Sequence, residues 1–215
     1  MVAGRFITLE GDDGSGKSTQ IAMLSSRLRE AGHEVVVTRD PGGTEGAEAI
    51  RNLVLTGDPD RWDAITSALL HFAARRDYVE RLIRPALERG QWVISDRFAD
   101  STIVYQGVAG GAGADAIRDL WQTAIGGFKP DLTLIIDLPV AEGLERANGR
   151  MQQIEDETSR EDRYEKMGAG FHKIVRQAFL DIAEEEPRRC ALIDGTENPD
   201  DVHARIWAAV SDRLL

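Results

Sequence analysis

Lys17 and Ser18 close the run Gly11-Asp12-Asp13-Gly14-Ser15-Gly16-Lys17-Ser18, which fits G-x-x-x-x-G-K-[ST] without a gap. Its glycines let successive backbone N–H groups turn inward on phosphate oxygens. Thr19 opens an apolar-periodic run, so a helix N-terminus stands behind the loop and favours an anion there. Lys17 can reach the β- and γ-phosphates, and the Ser18 hydroxyl can ligate Mg²⁺. This set binds a nucleoside triphosphate, with ATP the expected one. The guanine motif N-K-x-D is absent, which argues against a GTP switch. A phosphate loop alone serves switches, motors and transferases, so the reaction has to be read from other residues.

Asp96-Arg97-Phe98 directly follows the apolar run WVIS. A carboxylate at a strand end is placed to organise Mg²⁺, and Arg97 would point across the cleft. Residues 148–162, NGRMQQIEDETSRED, are charged and aperiodic between two helical patterns. Such a segment reads as a mobile lid that closes over donor phosphates. Arg150, Arg160 and Arg163 are the cations it could supply, with Arg160 read as a solvated side chain.

These residues need elements to hold them. RFITLE reads as a short strand, and Lys17–Ala31 as a helix with Ile21, Leu24 and Leu28 on one side and Gly32 as its stop. EVVVT (34–38) reads as a strand buried on both faces, DPGGTEG as a loop and Ala47–Leu55 as a helix. Trp62–Arg89 is one long helical pattern with a kink expected at Pro85. WVIS (92–95) is a strand, GVAGGAGA (107–114) a flexible connection with Gly110, Gly111 and Gly113 as a hinge, and Asp115–Ile125 a helix. LTLIIDL (132–138) is a strand and Val140–Arg150 a helix. Tyr164–Glu186 is a helix with Met167, Phe171, Ile174, Val175, Phe179 and Ile182 along one stripe. CALID (190–194) is the last strand, and Asn198-Pro199 opens a final helix. Strands alternating with helices predict a parallel sheet covered on both faces. Ligands on such folds sit at the C-terminal ends of the strands, where every motif above falls.

The bulk properties bound the partners. The 215 residues are 42% hydrophobic and 29% charged, the profile of one globular domain. A formal charge of -11 argues against general nucleic-acid binding, which needs a basic face. The single cysteine, Cys190, excludes an internal disulfide and reads as an inert residue of a buried strand. Trp92, Trp121 and Trp207 read as packing residues. MVAGRFITLEG carries no secretory apolar region, and no apolar run approaches ~20 residues, so neither export nor a membrane span is expected. The expectation is a cytoplasmic protein.

EGDDGSGKST, TRDPGGT (38–44), LLHFAARR (69–76), SDRFADSTIVYQG (95–107) and DRYE (162–165) occur in that order. Together they resemble the bacterial thymidylate kinases over nearly the whole chain. The resemblance implies a P-loop NTPase-type doubly wound α/β sheet of about five parallel strands, with the lid as part of a single domain. It implies phosphoryl transfer from ATP to dTMP with Mg²⁺, and a homodimer to which the Trp62–Arg89 helix could contribute. By position it implies that Asp13 approaches the acceptor sugar and its 3′-hydroxyl, and that Arg51 and Arg97 hold the acceptor phosphate. Arg75 would meet the thymine O4 edge, Ser101 and Gln106 would contact the base, Tyr105 the deoxyribose, and Pro41 would line the base pocket. Arg76 is read as a solvated or salt-bridged neighbour, and Asp194-Gly195-Thr196, at the end of the last strand, as bordering the adenine. Arg163 matches the lid arginine best, with Arg150 second; Gly14 stands where another class of these kinases has an arginine in the loop. His71 stands where the family usually stacks Phe on thymine, leaving either His71 or Phe72 to do so, and Asp40 replaces the more usual Glu. Two other readings fit the same residues: a kinase for a different pyrimidine nucleoside monophosphate, or a nucleotide-binding regulatory module without catalysis.

Overall fold

The structure is a computed structural model that describes residues 4–151, 164 and 167–215. Its strands are β1 (Phe6–Glu10), β2 (Val35–Arg39), β3 (Trp92–Asp96), β4 (Leu132–Asp137) and β5 (Cys190–Asp194). They form one all-parallel sheet in the order β2-β3-β1-β4-β5. β1 is central, with Phe6 opposite Val93 of β3 and Ile7 opposite Leu132 of β4. The chain changes direction across the sheet at β1, and that switch point is where ligands bind in such folds.

The helices are α1 (Lys17–Glu30), α2 (Glu45–Leu55), α3 (Ala64–Tyr78), α4 (Arg84–Glu88), α5 (Ala99–Thr102), α6 (Ala114–Ile125), α7 (Val140–Met151), α8 (Ala169–Glu185) and α9 (Pro199–Leu214). Side chains alternate faces along a strand, and the sheet therefore has two cores. Phe6, Val93 and Ile135 pack on one face with Phe72, Phe98, Trp121 and Phe179. Ile7, Leu9, Ile94 and Leu134 pack on the other with Leu24, Leu28, Ile206 and Val210 of α1 and α9. Each fully buried side chain of this size contributes about 1.5–3 kcal/mol. Arg189 joins the sheet to α5: it donates to Asp100 at 2.6 and 2.9 Å and to the Thr133 hydroxyl at 2.7 Å.

Four expectations need correction. β2 is an edge strand rather than one buried on both faces, and Val37 is 45% exposed. The Trp62–Arg89 pattern is one unbroken helical run from Ala64 to Glu88, but not a uniform α-helix with a kink at Pro85. Asp63 caps α3, a wide π turn occupies Val79–Ile83, and α4 follows. Pro85 has no N–H for the Arg81 carbonyl and its ring would crowd it. The wide turn relieves this by bonding the Arg84 N–H to the Val79 carbonyl. The chain at Gly107 is no loose connection; it lies inside a second π turn, Ile103–Ala109, and is buried. α8 begins at Ala169, not Tyr164, and Ile174 is 48% exposed. Its buried stripe is His172, Val175, Ala178, Phe179 and Ile182, so Val175, Phe179 and Ile182 of the expected stripe are buried while Ile174 gives way to His172 and Ala178. The expected lid, residues 148–162, lies outside the described residues from 152 onward; residues 148–151 form the end of α7.

Candidate active site

The phosphate loop joins β1 to α1 at the centre of the sheet edge. Gly14 has φ +79°, and a Cβ there would lie 2.1 Å from the Gly143 carbonyl oxygen of α7. Only glycine lets the loop seat on that helix. Gly16 has φ +92° with nothing within 4 Å of the Cβ position, so its backbone faces open space where a phosphate can approach. Lys17 is buried and donates from Nζ to the Gly11 and Asp12 carbonyls at 3.1 and 2.9 Å. Burial, then the neighbouring Arg97, lowers its pKa to about 8 against the pull of Asp13, Asp96 and Asp12. A polyphosphate beside it would favour the charged ammonium.

Arg97 follows β3 and has φ +69°, a left-handed conformation that costs a non-glycine residue about 1–3 kcal/mol. The surroundings enforce it. Its N–H donates to the Leu9 carbonyl at 2.9 Å, and its carbonyl accepts from Ser95 Oγ at 2.7 Å. The guanidinium donates to the Gly11 carbonyl (2.9 Å), Ser101 Oγ (3.1 Å), Asp13 Oδ1 (2.7 Å) and the Tyr105 hydroxyl (3.3 Å). Burial would raise the Asp13 pKa, but Arg97 and Lys17 outweigh it and hold the carboxyl low. Glu10, at the end of β1, braces the same turn: it accepts from the Phe98 N–H at 2.7 Å and from Ser101 Oγ at 2.6 Å. Burial, and then Asp100, pushes Glu10 up to about 8.

One cavity of about 320 Å³ gathers Asp13, Gly14, Gly16, Lys17, Ser18, Pro41, Arg51, His71, Arg75, Asp96, Arg97, Ser101, Tyr105 and Gln106. It also takes in Arg39, Asp40, Thr102 and Tyr164. Its cations outnumber its carboxylates, which suits a phosphate. Arg51 donates to the Pro41 carbonyl at 2.7 Å, which places its guanidinium beside that loop. Phe72 is not at this cavity. It is 2% exposed in the core with Arg75 over its ring at 4.6 Å, while His71 is the ring on the cavity wall. Nδ1 of His71 donates to the Ser67 carbonyl at 2.8 Å. Arg75 is 1% exposed and paired through Nε with Asp40, which also accepts from the Tyr78 hydroxyl at 2.8 Å. Its Nη2 donates to Thr102 Oγ1 at 2.9 Å. Arg76 faces outward to Glu80 at 3.2 Å. Gln106 donates to the Tyr164 hydroxyl at 2.6 Å.

Gly11, Asp12, Ser15 and Thr19 do not line this cavity. Ser15 and Thr19 open, with Gly14 and Gly16, onto a second cleft of about 690 Å³ bounded by Arg146, Gly195, Thr196 and Pro199. A ligand seated on the phosphate loop could therefore extend to either side. Asp12 turns behind the loop, where it accepts from His172. Arg160 and Arg163 lie outside the described residues, as does the side chain of Arg150 at the end of α7. Sequence reasoning missed Glu10, Arg39 and His172. Two carried a signal: Glu10 is a charge ending a fully buried strand, and His172 is a polar residue on an apolar helical stripe.

Ser18 and Asp96 fit a hard divalent cation. Both present oxygen to the same cavity, beside the place where phosphate oxygens would complete the shell. Among the described residues no three His, Cys, Asp or Glu side chains gather to hold a metal by themselves. No described helix is long and apolar enough to cross a membrane.

The family model for thymidylate kinase matches residues 9–206. A thymidylate kinase of Caulobacter vibrioides is 50% identical, with 100% of this chain and 99% of that one covered. One of Rhizorhabdus wittichii is 49% identical over 98% of this chain and 99% of its own length. The crystal structure of thymidylate kinase from Ehrlichia chaffeensis superposes with a TM-score of 0.74 at 34% identity, covering 97% of this chain and 99% of that one. With a phosphate loop at the sheet's switch point, a cationic cavity beside it and relatives matching from end to end, the chain belongs to the thymidylate kinase family.

Proposed function

We infer that this chain is an ATP-dependent dTMP kinase, transferring the γ-phosphoryl group of ATP to dTMP to give ADP and dTDP. The observation that carries the reading is one cavity in which Lys17 and Gly16 of the phosphate loop face Arg97, Arg51 and Asp13. ATP lies along the loop, its base toward the cleft at Gly195 and Thr196. dTMP enters the cavity with its phosphate toward Arg51 and Arg97 and its base toward His71 and Arg75. His71, not Phe72, is the ring that stacks on thymine. Ser101, Gln106 and Pro41 bound the base, and Tyr105 and Asp13 the sugar.

The acceptor phosphate oxygen is already anionic at neutral pH, so in-line attack on the γ-phosphorus needs no strong general base. Bringing two anions together is the difficulty. Lys17, Arg97 and Arg51 lower that repulsion and neutralise charge on the group in transit. Mg²⁺, held by Ser18 and Asp96, would add positive charge between the phosphates. Arg163, directly after residues 148–162, is the proposed lid cation, with Arg150 within them second; the lid excludes water and so limits ATP hydrolysis. The enzyme is proposed to act in the cytoplasm, where a buried thiol such as Cys190 stays reduced, and as a homodimer. Exposed Leu53 on α2 and Ile65 and Leu69 on α3 support a face for the second subunit.

A coupled ADP-release assay with ATP, Mg²⁺ and a panel of dTMP, dUMP, UMP, CMP, AMP and GMP tests the reading. Preference for dTMP is expected. Preference for another monophosphate would overturn the base-pocket roles, and ATP binding without turnover would favour a regulatory module.

A further inference from the structure

We infer that Asp12 and His172 form a charged clasp that locks the phosphate loop onto α8, which makes His172 a positioning residue for phosphoryl transfer. The inference rests on the phosphate-loop reading above. Asp12 occupies a loop position that the phosphate motif leaves open to any residue. Its carboxylate points behind the loop and collects three donors. His172 Nδ1 lies 3.0 Å from each oxygen, the Tyr105 hydroxyl donates at 3.2 Å and the Asp13 N–H at 2.8 Å. Three parts of the chain thus meet at one carboxylate: the loop, α8 and the π turn that carries Tyr105.

His172 is 0% exposed and the Asp12 side chain 11%. A carboxylate so enclosed needs a cation more than a neutral donor. The other charges nearby are engaged elsewhere. Lys17 bonds the Asp12 carbonyl rather than its carboxylate, and Arg97 bonds Asp13. Arg176, one turn further along α8, is held by both oxygens of Asp137 at the end of β4 at 2.7 and 2.8 Å. The imidazolium of His172 is left as the counter-charge. The hydrogen bond to Asp12, with the charges of Asp12 and Asp13, outweighs burial and raises its pKa above the usual histidine value, while Nε2 is buried without a hydrogen-bond partner. Deprotonation converts the ion pair to a neutral hydrogen bond and loosens the loop that positions the γ-phosphate. The ion pair holds while Asp12 is ionised and His172 protonated, and the clasp opens as pH rises through the raised pKa of His172.

The first test is NMR titration of the four histidine rings in the full chain, with the His172 signal assigned by its loss in His172→Asn. The His172 midpoint is expected to fall in Asp12→Asn. The same midpoint in wild type and Asp12→Asn would overturn the clasp, and needs no variant at His172 to be active. The second test is the pH profile of kcat. An asparagine amide can take the place of Nδ1 but carries no charge, so His172→Asn should show at every pH the lowered turnover of the neutral, loosened clasp and lose the alkaline step assigned to His172. His172→Leu should lower kcat about tenfold or more at all pH values, as expected for a displaced reacting group, and raise KM for ATP more than KM for dTMP. A His172→Leu enzyme with wild-type kcat, or an alkaline step unchanged in His172→Asn, would refute the proposal. Wild-type chain that transfers nothing to dTMP would sink the kinase reading instead, and the NMR comparison would still decide the clasp.

Discussion

Arg97 links the two sides of the cavity, because a single guanidinium touches the phosphate loop at Gly11 and Asp13 and the opposite wall at Ser101 and Tyr105. Lys17→Ala and Arg97→Ala should each lower kcat by about 10²–10³, the usual cost of one preorganised transition-state contact; full turnover in either would overturn its role. Glu10 makes a prediction about stability. Its folded pKa is raised, so the unfolded chain releases this proton first as pH climbs. Stability from this group is therefore lost from the ordinary glutamate range up through about 8. Glu10→Gln should flatten that decline, which urea midpoints at about pH 5 and about pH 8 would show. Asp40 shows the opposite risk. Asp40→Asn leaves the 1%-exposed Arg75 without its counter-charge and should cost about 3–5 kcal/mol by urea unfolding.

The phosphate loop is shaped by what it rests on, and its glycines are not equivalent. Gly14→Ala forces a Cβ into the Gly143 carbonyl of α7 in addition to its φ of +79°. Gly16→Ala meets no atom and bears only the backbone strain of φ +92°, about 1–2 kcal/mol. Gly14→Ala should therefore lower Tm clearly more than Gly16→Ala, while both weaken ATP binding. Equal Tm values would mean that the loop does not depend on α7 for its seat. α3, the π turn and α4 make a similar point: Pro85 does not simply kink a helix, because the widened turn before it absorbs the missing hydrogen bond.

Across the whole molecule, net charge and local field have opposite signs. The chain carries -11, yet Lys17, Arg39, Arg51, Arg75 and Arg97 converge on one cavity. An acidic surface repels polyanions in general, and the cavity attracts small ones at short range. Raising salt shrinks the screening length from about 10 Å at 0.1 M to about 3 Å at 1 M. KM for both nucleotides should rise over that range with a smaller change in kcat; salt-independent KM values would show that the cavity charges do not steer the substrates.

The amino-acid sequence by itself determined the alternation of strands and helices, the phosphate loop and the order of the acceptor motifs. Those are local signals, written in side-chain period and in glycine and lysine spacing. It did not determine that β2 would be an edge strand, because a short apolar run looks the same at an edge as in the middle of a sheet. It did not choose between His71 and Phe72, since adjacent residues of one helix differ in face by about 100° and only packing fixes which turns inward. Nor did it reveal that Asp12 and His172, 160 residues apart, share a hydrogen bond. Tertiary structure decided these matters, because burial and the placing of one charge against another depend on which elements pack together.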